Sequence, residues 1–158
     1  FIIIFAPIFA YLWISLAKRN LNPSTPTKFA VGLLFLALGF LMMVIASTVI
    51  TTGSKAMPTW LLLTYLFHTF GELALSPVGL SATTKLAPKR FVGQMMGLWF
   101  VASALGNLIA GRIAGEFDAN NIAGFPSQYL DIVMTTAGAG IILLILSKPL
   151  QKRMRGTE

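Results

Sequence analysis

Residues 28–50 read KFAVGLLFLALGFLMMVIASTVI, and after Lys28 the next charged side chain is Lys55. A helix that crosses the hydrocarbon core of a bilayer needs about 20 apolar residues, so this stretch is long enough to span it. Four more apolar runs of comparable character flank it, at 1–17, 59–86, 91–114 and 129–147. The chain as a whole is 56% hydrophobic and only 11% charged, with a mean hydropathy of +0.78. Soluble domains carry about 25% charged residues; this chain has too little polar surface to face water. The expected fold class is all-α, a polytopic membrane protein of five transmembrane helices.

The connections between the runs carry the turn chemistry that separates them. Asn22-Pro23-Ser24-Thr25-Pro26-Thr27 is a proline-rich turn whose Ser and Thr residues can cap the next helix. A polar stretch, 51–58, reverses the chain after the second run, and Ala87-Pro88-Lys89-Arg90 closes the third. A longer polar connection, 116–128, leads to the fifth run, which Lys148-Pro149 is expected to stop before a basic tail. The first run begins at Phe1 without a basic segment before it, so it does not read as a signal peptide and the chain reads as part of a longer polypeptide.

Net charge is +7, yet the basic residues occur in short clusters between apolar runs rather than along one face. That distribution argues against nucleic-acid binding and sets an orientation. Lys18, Arg19 and Lys28 follow the first run, Lys85, Lys89 and Arg90 the third, and Lys148, Lys152, Arg153 and Arg155 the fifth. The other side holds only Lys55 and Arg112, near Glu116, Asp118 and Asp131. Under the positive-inside rule alternate turns are cytoplasmic, and so is the C-terminus. With no cysteine and one histidine, thiol chemistry and the usual zinc patterns drop out. No phosphate loop, metal-ligand cluster or nucleophile–base pair is present, so neither an enzyme nor a cofactor is expected.

Glu72 is the one acidic residue in the middle of a run. A carboxylate there costs about 2.5–3.5 kcal/mol on insertion scales, against a return of about 0.5 kcal/mol per leucine. Such groups face a bundle interior or a water-filled cavity and serve ion or substrate paths; the plainer alternative is a helix–helix hydrogen bond. Glu72, Ser76 and Leu80 recur every four residues and share one helix face. His68 lies one turn before Glu72, where it is either a proton-relay partner or a packing residue. Pro77 cannot donate to the Leu73 carbonyl. With Gly71 and Gly79 beside it, it marks either a hinge lining a cavity or a static kink. In the fourth run Gly93/Gly97, Gly106/Ala110 and Gly111/Gly115 are spaced for close helix packing. Trp99, Ser103 and Asn107 share another stripe, and Trp99 either walls a pocket or fills a core.

The stretch Gly71-Glu72-Leu73-Ala74-Leu75-Ser76-Pro77-Val78-Gly79-Leu80 closely resembles the tenth helix of the proton-dependent oligopeptide transporters. Pro23-Ser24-Thr25-Pro26-Thr27-Lys28-Phe29-Ala30, Thr84-Lys85-Leu86-Ala87-Pro88 and Met95-Met96-Gly97-Leu98-Trp99-Phe100 extend the resemblance, and Asn107 and Gly111 fall where that family has them. The likeness runs in order along nearly the whole chain, in a bacterial form with short loops. It implies a major facilitator fold in which this chain supplies helices eight to twelve, part of the C-terminal six-helix bundle. It also implies symport of protons with di- and tripeptides across the bacterial inner membrane, in partnership with an N-terminal half that lies outside this chain.

The same resemblance implies roles for particular residues. Glu72 matches a cavity carboxylate that meets the peptide amino terminus and a lysine of the other half. Ser76, Trp99 and Ser103 match positions lining the peptide pocket, Leu80 matches a leucine of the cytoplasmic gate, and Pro77 with Gly79 are the expected hinge. Two other functions stay in view: a facilitator for a different solute, and a membrane anchor or assembly subunit that transports nothing.

Overall fold

The computed structural model describes residues 1–118 and 121–154, the last three by backbone alone. Arg155 and the side chains of Lys152 and Arg153, part of the expected basic tail, lie outside the described residues. The described chain is five α-helices: α1 (Ile2–Lys18), α2 (Thr25–Thr51), α3 (Pro58–Leu86), α4 (Val92–Gly115) and α5 (Phe125–Met154). Short 3-10 turns at Lys89–Phe91 and Ile122–Gly124 lead into the last two. With those turns counted in, α2 to α5 are segments of 27 to 30 residues, long and apolar enough to cross a membrane. The 17 residues of α1 make a helix of about 26 Å, at the short end of what can span.

Prolines set several of the helix ends. α2 starts at Thr25, three residues before the expected position, because Pro26 is pre-organised for a first turn and lacks only an N–H that would go unbonded there. Ser24 stands at the N-cap in extended conformation, and its carbonyl accepts from the Lys28 amide at 3.0 Å. Pro58 opens α3 in the same way. At the other end Ala87 is extended (ψ 136°), as the residue before Pro88 must be. α5 departs from expectation. It begins at Phe125 and runs through Pro149 to Met154 instead of ending at Ser147. The one hydrogen bond Pro149 removes falls on the Ile145 carbonyl, and membrane helices absorb such a loss where local groups re-satisfy the backbone.

α2 is the centre of the bundle, lying between α3 and α5. Its buried positions are almost all small: Ala30, Gly32, Ala37, Gly39, Ala46 and Ser47. Gly71 of α3 comes so close to Gly32 that a Cβ on Gly71 would lie 2.8 Å from the Gly32 carbonyl oxygen. Helices in lipid gain little from the hydrophobic effect, so this backbone-to-backbone approach is how they attract one another. The Thr64 hydroxyl adds a polar tie, within reach of the Gly39 carbonyl across the seam at 3.2 Å. α1 docks through aromatic rings: Phe5 and Phe9 sit 4.9 and 5.5 Å from Phe70, which also meets Phe35 of α2 at 5.7 Å.

α4 leaves its small-residue stripe without a partner helix among the described residues. No residue of α4 is buried, and a Cβ on Gly93, Gly97, Gly106, Gly111 or Gly115 would meet nothing within 4 Å. Close packing of these glycines needs a second helix with a matching face. Among the described residues α4 meets α3 and, through Trp99, Phe29 of α2, and nothing comes near its glycines.

Candidate functional site

Glu72 lies fourteen residues from either end of α3, at the middle of the span. Its neighbours Gly71 and Leu75 turn into the α2 seam, while Glu72, Ser76 and Leu80 stay on an open side, Leu80 being 38% exposed. The face predicted from four-residue spacing is therefore a surface of α3 that the packing of this chain leaves clear. α3 is helical without interruption through Pro77. Just beyond, the Thr83 hydroxyl donates to the Gly79 carbonyl at 2.7 Å, holding that turn from its own side chain.

His68 goes elsewhere. Its ring fits into the notch of Gly39, where an added Cβ would collide with it, and packs on Phe40 at 4.8 Å between ring centres. Its Nε2 is buried without a hydrogen-bond partner. The imidazole is thus a packing group of the α2–α3 seam, and the relay with Glu72 that the sequence left open is not formed. Helical spacing brings the two Cα positions near one stripe; the Gly39 notch decides which way the ring turns.

Trp99 of α4 reaches across to α3 and lays its indole on Gly79, with Phe29 of α2 meeting it edge-on at 6.4 Å. Half-buried, it also walls a cavity of about 400 Å³ whose other walls include Thr25, Phe29, Thr83, Met95 and Leu143. Both sequence alternatives are therefore realised in one residue: Trp99 fills a gap and borders a space. That cavity is not lined by Glu72 or Ser76. Gly79 is about 10 Å along the helix axis from Glu72. Ser103 is exposed, and its hydroxyl donates to the Trp99 carbonyl at 3.0 Å. Within this chain the expected pocket residues form two groups, Glu72 with Ser76 and Leu80, and Trp99 with Gly79 and Ser103.

Phe29 was not singled out from the sequence, although it is the ring that holds Trp99 in place. Its only sequence signal was its presence in the Pro23–Ala30 motif. The Gly39–His68 fit had none, because the two residues lie on different helices and neither repeats at a telling interval.

Residues 1–129 match the PTR2 family, described as the POT family. The chain is 42% identical over 160 residues to the peptide transporter YePEPT of Yersinia enterocolitica, covering 100% of this chain and 31% of that protein. It is 38% identical over 156 residues to a di-/tripeptide transporter of Lactococcus lactis, covering 98% of this chain and 30% of the relative. Among solved structures, a mutant of a peptide transporter POT in complex with alafosfalin superposes with a TM-score of 0.83 at 39% identity. A POT family transporter in complex with 5-aminolevulinic acid superposes with a TM-score of 0.81 at 29% identity. Each superposition covers 94% of this chain and 29% of the other. The chain thus spans under a third of the length of each of these proteins.

Proposed function

The chain belongs to the POT family and is a multi-pass membrane protein of major facilitator fold, and on that premise we propose that it supplies helices eight to twelve of a proton-coupled symporter of di- and tripeptides. The observation that carries this is Glu72, a carboxylate at the middle of a membrane helix on a side that α2 and α5 do not cover. Left against lipid it would cost about 2.5–3.5 kcal/mol. The cost falls away if that side borders a water-filled path. A peptide zwitterion needs a negative site for its amine and a positive one for its carboxylate. Glu72 serves the first, with Ser76 one turn away on the same face, and the remainder of the polypeptide provides the second. Trp99 and Ser103 contact peptide side chains, Leu80 closes the path on the cytoplasmic side, and α3 bends at Pro77 and Gly79 as access alternates. Protons arriving down their gradient weaken the internal ion pairs and release the peptide inward; one charge crossing 100 mV contributes about 2.3 kcal/mol.

Two measurements test this. In the full polypeptide reconstituted into vesicles, Glu72→Gln is expected to abolish proton-driven accumulation of a labelled dipeptide; accumulation at the unaltered rate would refute the role. The proposed orientation places this multi-pass chain in the bacterial inner membrane with its C-terminus in the cytoplasm. Reporters at Asn22 and Lys89 are then expected to read cytoplasmic and those at Ser54 and Asn121 external. An external signal at Lys89 would overturn the orientation.

A further inference from the structure

On the side of α3 turned away from Glu72, a second cavity of about 650 Å³ opens between the ends of α1, α2, α3 and α5, the last through Gln151. Ser81 and Lys85, which line it, are nine and thirteen residues beyond Glu72, about 180° and 220° around the helix at 100° per residue. The volume falls within the roughly 300–1,000 Å³ typical of small-molecule sites. We propose that this cavity holds the phosphate-bearing headgroup of an anionic phospholipid.

The lining chemistry is that of an anion site. Among the described residues it includes Lys28 and Lys85, the hydroxyl residues Ser24 and Ser81 and the amide of Asn22, and no carboxylate. Lys28 lies over the Trp13 ring, its Nζ 4.7 Å from the ring centre, which sets its ammonium at the cavity wall. The Trp13 indole N–H is buried without a partner, so that ring contributes a flat wall and not a donor. Ser24 and Thr25 bring the start of α2 to the same wall. The Ser24 hydroxyl pairs with the Thr27 hydroxyl at 2.8 Å and caps no amide. Helix starts of this kind favour anions.

Location selects a lipid as the source of the phosphate. The cavity lies at the end of the bundle where Lys18, Arg19, Lys28 and Lys85 gather, the level at which headgroups sit. One wall is α1, whose Tyr11, Leu12 and Ile14 are exposed within this chain and give acyl chains an apolar surface to lie against where no other part of the polypeptide covers them. Basic pockets between membrane helices bind anionic headgroups in this way. The site stands on the opposite side of α3 from Glu72 and does not depend on which solute is carried.

The test uses the full polypeptide in detergent, with native mass spectrometry counting retained lipid during titration with phosphatidylglycerol or phosphatidylcholine. Phosphatidylglycerol is expected to be retained in clear preference. Lys28→Gln and Lys85→Gln are each expected to weaken it about five-fold, and together about thirty-fold, from about 1 kcal/mol per basic residue. Lys148→Gln, outside the lining, should leave it unchanged. Lys28→Arg with Lys85→Arg should keep the lipid, which preserves the test if the glutamine pair does not fold. Equal retention of phosphatidylcholine, or undiminished phosphatidylglycerol on the double glutamine variant, would overturn the proposal. Displacement by millimolar inorganic phosphate would overturn the lipid assignment in favour of a soluble anion.

Discussion

Gly71 on α3 and Gly97 on α4 sit in similar company, among small residues on long apolar helices, yet their surroundings differ completely. Gly71 is pressed on the backbone of α2, with the Gly32 carbonyl where its Cβ would be, whereas Gly97 has nothing within 4 Å. The α2–α3 seam and the α4 stripe have the same sequence grammar. What distinguishes them is whether a second helix arrives with a complementary face. Small residues permit close approach in a membrane; they do not compel it.

The seam is the place to apply the strongest perturbation. Gly71→Ala puts a methyl against a backbone carbonyl that has no rotamer to escape into. A loss of about 1–3 kcal/mol is expected, as for overpacked cores, read as a drop in thermal unfolding midpoint of the full polypeptide. An unchanged midpoint would mean that the two backbones lie farther apart than a Gly71 Cβ-to-Gly32 carbonyl distance of 2.8 Å requires.

Trp99→Ala comes next. A large aromatic removed from a full core costs about 3–5 kcal/mol, but this ring is half-buried and borders open space. We expect a loss below that range, with dipeptide competition constants shifting unevenly according to peptide side chain. A loss within the full range, accompanied by an unaltered ranking of dipeptides, would make Trp99 a core residue and confine the pocket to Glu72 and Ser76.

Gly39→Ala should cost less than Gly71→Ala, because the nearest obstacle is the His68 ring, a side chain that can rotate, and the backbone carbonyl of Thr64 stands farther off at 3.2 Å than the Gly32 carbonyl does from Gly71. The pair gives a double-mutant cycle: with His68→Ala in place, Gly39→Ala should lose most of its effect. Simple additivity of the two would show that the notch does not hold the ring.

The smallest effect belongs to the α4 stripe. Gly97→Ala replaces a poor helix former with the best one, a gain of up to about 1 kcal/mol where nothing obstructs the methyl. If its midpoint falls as far as that of Gly71→Ala, another part of the full polypeptide packs on α4, and the two regions are alike after all.

Much of the architecture was readable along the chain. The five apolar runs, the proline-bearing turns and the Glu72–Ser76–Leu80 face are properties of consecutive residues, and a helix in lipid satisfies its own backbone locally. The end of α5 was misplaced because a proline read as a stop is only a lost hydrogen bond when the helix around it holds. His68 was ambiguous for a different reason: four-residue spacing fixes where a Cβ starts and leaves the direction of the ring to its neighbours.

By itself, then, the sequence determined that this is a bundle of membrane helices, where those helices lie along the chain, and that a carboxylate occupies the middle of one of them. These follow from length, hydropathy and local hydrogen bonding, which need no partner. Only the tertiary structure decided that Gly32 and Gly71 touch while Gly97 does not, that His68 packs into Gly39 and away from Glu72, and that Trp99 rests on Gly79. Each of these depends on which two helices meet and at what register, and side-chain shape on both of them settles it.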